Sequence, residues 1–598
     1  MTADNMKFNK QTAGLALFSF LFLWLLKGDL LYHMEQYSYF SFHGDFPVKF
    51  FEQPGGLLSL LGAFLTQFCH FPVLGALVIA LSLSLLAYLV RKAFRLEGKK
   101  AWLALVPSLF LLLFITRLDY TIYHQKTYGL LFSQTLGFCA AVALFMLYRR
   151  SFSERKLGWL FVLPLIIAGY PLIGSYALVA AALVTLEALR VRKNFLPALA
   201  STLVLGAALP LLCANLPGIY GRMNRHYAFF AGFPYFEFVG SFMGFVPLIL
   251  AFMALAAFVF ADSFGRKLPI PVFAACAIAM LGLTNWDPNF GAVLKMERAV
   301  SDQDWDKVLK VAAKHQEPTR VQVLYRNIAL YNKGELTENM FTYPDGANPL
   351  KTTADVPISM VCSVPVEFYS GMINSCERSS MEFSSAFSKS VYFFKYQAKV
   401  ALLKGDFELA RKYMDAVGES WFQGPWLRRY ETFLENTSLI DSDPEFAQLR
   451  PIMEFEGPNT ELASSLEICM NNHFESLEYV NENAFEWQAA TMLTWKNESY
   501  FIQLFFDRFE KHPEAPISRG VAEALALLGG TSGDYEIMEQ VAKAMASRQD
   551  VLRRLTPFAN SINTASNLDN PSTIKRFKER YGDTYWFYYY FVNDIRTN

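Results

Sequence analysis

Between residues 12 and 285 the chain runs through nine apolar stretches, most of them close to the length that crosses a bilayer. A membrane helix needs roughly 20 mostly apolar residues, because hydrocarbon offers the backbone no partner and the helix must satisfy its own polar groups. The stretches fall at about 12–26, 72–90, 101–118, 129–148, 157–170, 173–189, 196–214, 239–261 and 269–285. The first, TAGLALFSFLFLWLL, is followed by KGDLLYHM and not by a small-residue cleavage site, so it reads as a retained span. The fifth and sixth share one apolar run, broken at GYPLIGSY (169–176), where Pro171 and Gly174 suit a tight turn.

The net charge is zero, but it is unevenly placed. Residues 1–290 hold 22 Lys+Arg against 12 Asp+Glu, which leaves 32 against 42 for residues 291–598. The acidic second part argues against nucleic-acid binding, which needs a basic footprint. Within the first part the bases alternate from loop to loop. One set holds Lys7, Lys10, RKAFRLEGKK (91–100), RRSFSERK (149–156), RVRK (190–193) and Arg266–Lys267; the other holds only Lys49, Lys126, Arg222 and Arg225. Cytoplasmic loops carry the excess of Lys and Arg. The expectation is a multi-pass protein of the inner (plasma) membrane with a cytoplasmic N-terminus. An odd number of spans puts the chain after about residue 286 outside the cytoplasm.

Three outward loops hold the residues that can carry chemistry. YFSFHGDFPVKFFEQPGG (39–56) contains His43, Asp45 and Glu52; DYTIYHQKTY (119–128) contains Asp119 and His124; the segment 215–238 contains Arg222, Arg225 and His226. An ionised carboxylate can take a proton from a hydroxyl, and arginine forks suit phosphates. Asp45, Glu52 and His43 are therefore the catalytic candidates. Arg222, Arg225, His226, Asp119 and His124 are the substrate-binding candidates. The competing reading is that these are the ordinary solvated and interfacial residues of outward loops. The span interiors are nearly free of charge, with Glu187 and Arg117 near ends, which disfavours a proton-coupled transporter.

No metal site is expected: the seven cysteines form no CxxC pair. Cys362 and Cys376 can bridge in an oxidising compartment. No GxxxxGK[ST], HExxH or GxSxG motif occurs, and Gly-rich LLGGTSGD (527–534) follows no strand. Which cofactor, if any, the chain uses is unknown from the sequence.

After residue 290 the texture changes to apolar residues at three- and four-residue spacing, punctuated by Gly, Pro and Asn. Trp305, Val308, Leu309 and Ala312 share one helical face; Leu324, Ile328 and Tyr331 share another, ended by Gly334. In SVYFFKYQAKVALLKGDFELARKYMDAV, Gly405 separates two helices in the manner of a tetratricopeptide pair. The fold class is thus all-α: a polytopic domain over 1–290 and a tetratricopeptide-like extracytoplasmic domain over 291–598.

The arrangement GDFPVKFFEQPGGLLSLLGAFLTQF, then the spans, then NIALYNKGELTENMF and ALLKGDFELARKYM, resembles a family of uncharacterised bacterial membrane proteins with Bacteroidota-type envelopes. The resemblance implies an inner-membrane protein with a periplasmic helical domain, and it brings no activity. A looser resemblance is to membrane glycosyltransferases of the C-type fold, which have an acidic residue in the first outward loop. It implies Asp45 as base, Glu52 as second choice, and Arg222 and Arg225 on a lipid-linked phosphate. Two readings follow: an envelope protein whose outer domain binds or scaffolds partners, or a glycosyl or polyprenyl-phosphate-sugar transferase. The expected partners are accordingly the bilayer, and envelope proteins or a lipid-linked sugar.

Overall fold

The computed structural model describes residues 10–215, 225–236, 242–261, 268–345, 356–387, 389–454, 456, 466–531 and 535–592. Among them the chain is mostly helical and has no β-strand; an isolated antiparallel bridge joins Gln125 to Phe236. It divides into two compact units. The first is Met1–Trp286 with two later returns of the chain, Ser384–Phe394 and Met414–Leu427; the second is Asp287–Phe383, Lys395–Tyr413 and Arg428–Asn598.

Among the described residues of the first unit, five helices are long and apolar enough to cross a membrane: Lys10–Gln36 (α1), Pro72–Ala93, Gly98–Thr116, Leu130–Ser151 and Phe195–Asn215. The other four expected spans fold shorter. Residues 157–170 and the turn after them give Val162–Ile167 and Gly169–Ile173, and the next stretches give Tyr176–Val191, Val246–Phe258 and Pro269–Leu283. Two of these carry a proline in their first turn, Pro247 and Pro269, where its missing N–H costs the helix no hydrogen bond. Phe195–Asn215 is the barest of the five: only 11% of its most apolar stretch is buried, and Leu196, Leu203 and Val204 are exposed. Such a face suits lipid.

The loops of this unit gather into two sets. At one end Arg149 donates to the Ala93 carbonyl (2.9 Å), Lys100 to the Ala261 carbonyl (2.7 Å), and Asn194 to the Arg155 carbonyl (2.8 Å). Buried Glu187 accepts there from Arg190 and pairs with Arg149. At the other end the backbone of Asn285 donates to Thr116 O (3.1 Å), Gly55 to Pro171 O (3.0 Å), Ser175 to Ala231 O (2.8 Å) and Lys126 to Tyr235 O (2.9 Å). The basic loops therefore lie together, and the loops 39–59, 116–129 and 227–236 lie at the opposite ends of the helices.

The second unit is built from short packed helices, including Trp305–Ala312 on Arg320–Asn332, and Glu482–Thr494 between Leu466–Glu475 and Glu498–Lys511. Val308, Leu309 and Ala312 are buried, as are Leu324, Ile328 and Tyr331. Gly334 and Gly405 end their helices at φ of +69° and +77°. The core also encloses charge that the apolar spacing does not reveal. Arg320 pairs with Glu467, Arg326 with Asp345, and Lys399 with Glu445, every one of these side chains nearly inaccessible. Glu445 also accepts from Tyr369 (2.9 Å) and Tyr430 (2.5 Å). The aromatic tail folds as the helix Tyr585–Phe591, with Trp586 buried and donating to the Glu523 carbonyl at 2.8 Å. All seven cysteines are free thiols, so Cys362 and Cys376 do not bridge.

Candidate functional site: a lysine-lined cleft

The site begins where α1 ends. After Gln36 the chain turns through Gly44 (φ +62°) into one helical turn, Phe46–Lys49, then a 3-10 turn, Phe50–Glu52. Pro54 and Gly55 redirect it into the helix Gly56–Thr66 (α2). Aromatic rings hold the loop: Phe46 meets Tyr39, Phe50 and Tyr128 edge-on at centroid distances of 5.0, 5.2 and 6.2 Å, and Phe50 meets Tyr128 at 5.2 Å.

The two returns of the chain pin this loop. Val391 N–H donates to Ser38 O (3.1 Å), and Lys389 N–H donates to the Tyr128 hydroxyl (3.2 Å). Glu419 accepts from Ser41 Oγ (2.6 Å) and pairs with the His43 ring. Burial pushes the Glu419 carboxyl up, but the bonds from Ser41 and His43 outweigh it and hold it below the usual range. Deeper, the buried Glu35 carboxylate accepts from Gln36 (2.6 Å) and Gln423 (2.8 Å), with His70 Nδ1 at 3.3 Å.

Around this scaffold lies a cleft of about 520 Å³. Three lysines line it, each from a different segment: Lys49, Lys126 and Lys389. Tyr128, Tyr227, Tyr235, Ser59, Thr127 and Ser385 supply hydroxyls, and no carboxylate is among the described residues of the wall. Lys126 lies over the Tyr235 ring at 6.0 Å, and partial burial lowers its pKa. Burial raises the pKa of Tyr128 and Tyr227, keeping both as protonated donors. A cleft walled by one sign of charge concentrates counter-ions. Ammonium and phenol groups are donors, so the arrangement suits an anion with several oxygens.

The residues singled out by sequence are distributed differently. Asp45 is exposed and heads the Phe46–Lys49 turn; Glu52 is exposed; His43 is exposed and engaged with Glu419. None of the three lines the cleft. Asp119 accepts from Thr121 N–H (2.9 Å) and caps the turn Tyr120–His124. His124 is buried against the Phe387 ring (5.5 Å), and desolvation lowers its pKa, favouring the neutral imidazole. Arg222 and the side chains of Arg225 and His226 lie outside the described residues. Sequence reasoning counted Lys49 and Lys126 only as scattered bases. Their place as exceptions to the charge alternation is the signal that marks them, whereas Lys389 carries none. Among the described residues no group of three or more His, Cys, Asp or Glu side chains is placed to hold a metal ion.

These features define an all-helical protein with several helices fit to cross a membrane and a cationic cleft among the loops at one end. The chain belongs to the family of unknown function DUF6057, which it matches over residues 7–592. No curated protein and no solved structure matches it.

Proposed function

We propose that this is a multi-pass protein of the inner membrane that binds a phosphate-bearing, lipid-linked ligand in the lysine cleft on its extracytoplasmic side. The observation that carries the reading is the convergence of Lys49, Lys126 and Lys389, with no carboxylate among the described residues of the wall. Two features support the rest. The cleft lies at the end of the first unit opposite the basic loops, which the positive-inside rule places in the cytoplasm. Val48, Phe51 and Leu61, neighbours in sequence of the lining residues Lys49, Phe50 and Ser59, are exposed at 63%, 43% and 42%, which suits an interface with lipid. In this reading nine helical passages, the shorter ones included, carry the chain across. The tetratricopeptide-like second unit stays outside, where it binds or scaffolds envelope proteins.

The test is equilibrium binding of a polyprenyl phosphate and of inorganic pyrophosphate to the full chain in nanodiscs. Wild type should bind, with affinity falling as salt rises. The triple variant Lys49→Gln/Lys126→Gln/Lys389→Gln should lose at least tenfold. Equal affinity in wild type and triple variant would refute the assignment. A transferase using Asp45 as base is the second reading, favoured by the position of Asp45 at the head of the turn that carries Lys49. It requires Asp45→Asn to abolish sugar transfer while sparing ligand binding.

A further inference from the structure

A second cavity lies in the first unit, near the end that carries the basic loops. Its volume is about 270 Å³, and its wall is formed by α1 (Lys10, Gln11, Gly14, Leu15, Phe18), by Trp102, Leu105 and Leu109, and by Pro269–Leu283 through Phe273, Ala277, Met280 and Leu281. The wall is apolar except for Lys10 and Gln11. From Lys10 to Phe18 the helix rises about 12 Å at 1.5 Å per residue, so the cavity is a slot with a charged mouth and a hydrocarbon interior. Phe18 and Leu281 are partly exposed, so the slot is not sealed within the protein.

Helix packing normally fills such a space. Here a glycine keeps it open: a Cβ placed on Gly14 would meet no atom within 4 Å. Lys10 is exposed and belongs to the wall, so it can offer its ammonium to an anionic group. Trp102 joins the wall at the same end, and a tryptophan suits the level of lipid headgroups. Lys99 and Lys100 are close to it in the chain. Basic pockets between membrane helices on the cytoplasmic side are the setting in which anionic headgroups are held.

From this we infer that the slot is a binding site for one anionic phospholipid of the cytoplasmic leaflet, its phosphate at Lys10 and one acyl chain against Gly14, Leu109 and Ala277. The site is independent of the lysine cleft, which lies among the loops at the other end.

The test uses the full chain, purified in detergent and stripped of lipid, titrated with phosphatidylglycerol or phosphatidylcholine and read by native mass spectrometry. Wild type should retain one phosphatidylglycerol at least fivefold more tightly than phosphatidylcholine. Gly14→Leu grows into the empty space, so it should melt no lower than wild type yet lose the tight lipid. Lys10→Gln should keep one lipid but erase the preference for the anionic headgroup. Equal retention of the two lipids by wild type, or unchanged phosphatidylglycerol retention by a folded Gly14→Leu protein, would overturn the inference.

Discussion

Replacing Gly129 by alanine probes the contact that sets one wall of the lysine cleft. Gly129 follows Tyr128 and opens the helix Leu130–Ser151 at φ +67°. A methyl there would come 2.2 Å from the carbonyl carbon of Gly62 on α2, and a methyl on Gly62 would come 2.7 Å from Gly129 O. Both neighbours are backbone, so neither can swing aside. Left-handed backbone costs an L-residue about 1–2 kcal/mol, and overpacking adds about 1–3 kcal/mol. Gly129→Ala should therefore destabilise the first unit by about 2–5 kcal/mol. Two comparisons separate the causes. Gly62→Ala meets only the overlap, offset by up to about 1 kcal/mol of helix propensity. Gly44→Ala has the same kind of backbone (φ +62°) with nothing within 4 Å, so it should cost only about 1–2 kcal/mol. Reversible unfolding in mixed micelles, followed by tryptophan fluorescence, gives the three values. If Gly129→Ala costs no more than Gly44→Ala, the two backbones do not touch and the wall is wrongly described.

Lys399→Met removes the nearer cation of the buried Glu445 carboxylate and leaves only Arg429 at 3.5 Å, so it should cost the second unit about 3 kcal/mol in urea unfolding; adding Glu445→Gln should recover part of the loss. Burial of Glu367 pushes its pKa to about 8 against an ordinary 4.5. Between these values the unfolded chain binds fewer protons than the folded one, so this group makes stability fall as pH rises. Glu367→Gln should thus stabilise the protein at pH 7 and have little effect near pH 4, as read from melting temperatures across that range. For Glu419 the sign reverses: its lowered pKa means that its contribution is present above the ordinary carboxyl pKa and fades as pH falls through the folded one. Glu419→Gln should accordingly raise protease cleavage within residues 39–46 at neutral pH, with the difference from wild type shrinking on acidification.

What the sequence reveals here is what local periodicity controls. Continuous apolar runs mark the membrane-length helices, and three- and four-residue spacing with Gly334 and Gly405 marks the helices of the second unit. Span length was less legible, because prolines and 3-10 turns trim Val246–Phe258 and Pro269–Leu283 without changing hydropathy. The site is harder still. Asp119 looks like a functional carboxylate in sequence, yet an acid two residues ahead of an unpaired N–H is also a cap, and that is the role it takes. Glu35 lies beyond the apolar stretch 12–26, and only the folded chain brings Gln423, 388 residues away, to its carboxylate. The cleft's third lysine reaches it from a segment 261 residues beyond Tyr128, a separation that no spacing argument bridges.

The two returns of the chain have a consequence for how the molecule is made. Loops 39–59 and 120–128 leave the ribosome early, but Ser385, Phe387 and Lys389 complete their cleft only after some 260 further residues have been synthesised. Until then Phe46, Phe50 and Tyr128 lack one wall, and Glu35 waits longer still for Gln423. A fragment stopped at residue 290 would insert its helices and still carry an unfinished cleft. Completion of the cleft is thereby tied to completion of the polypeptide.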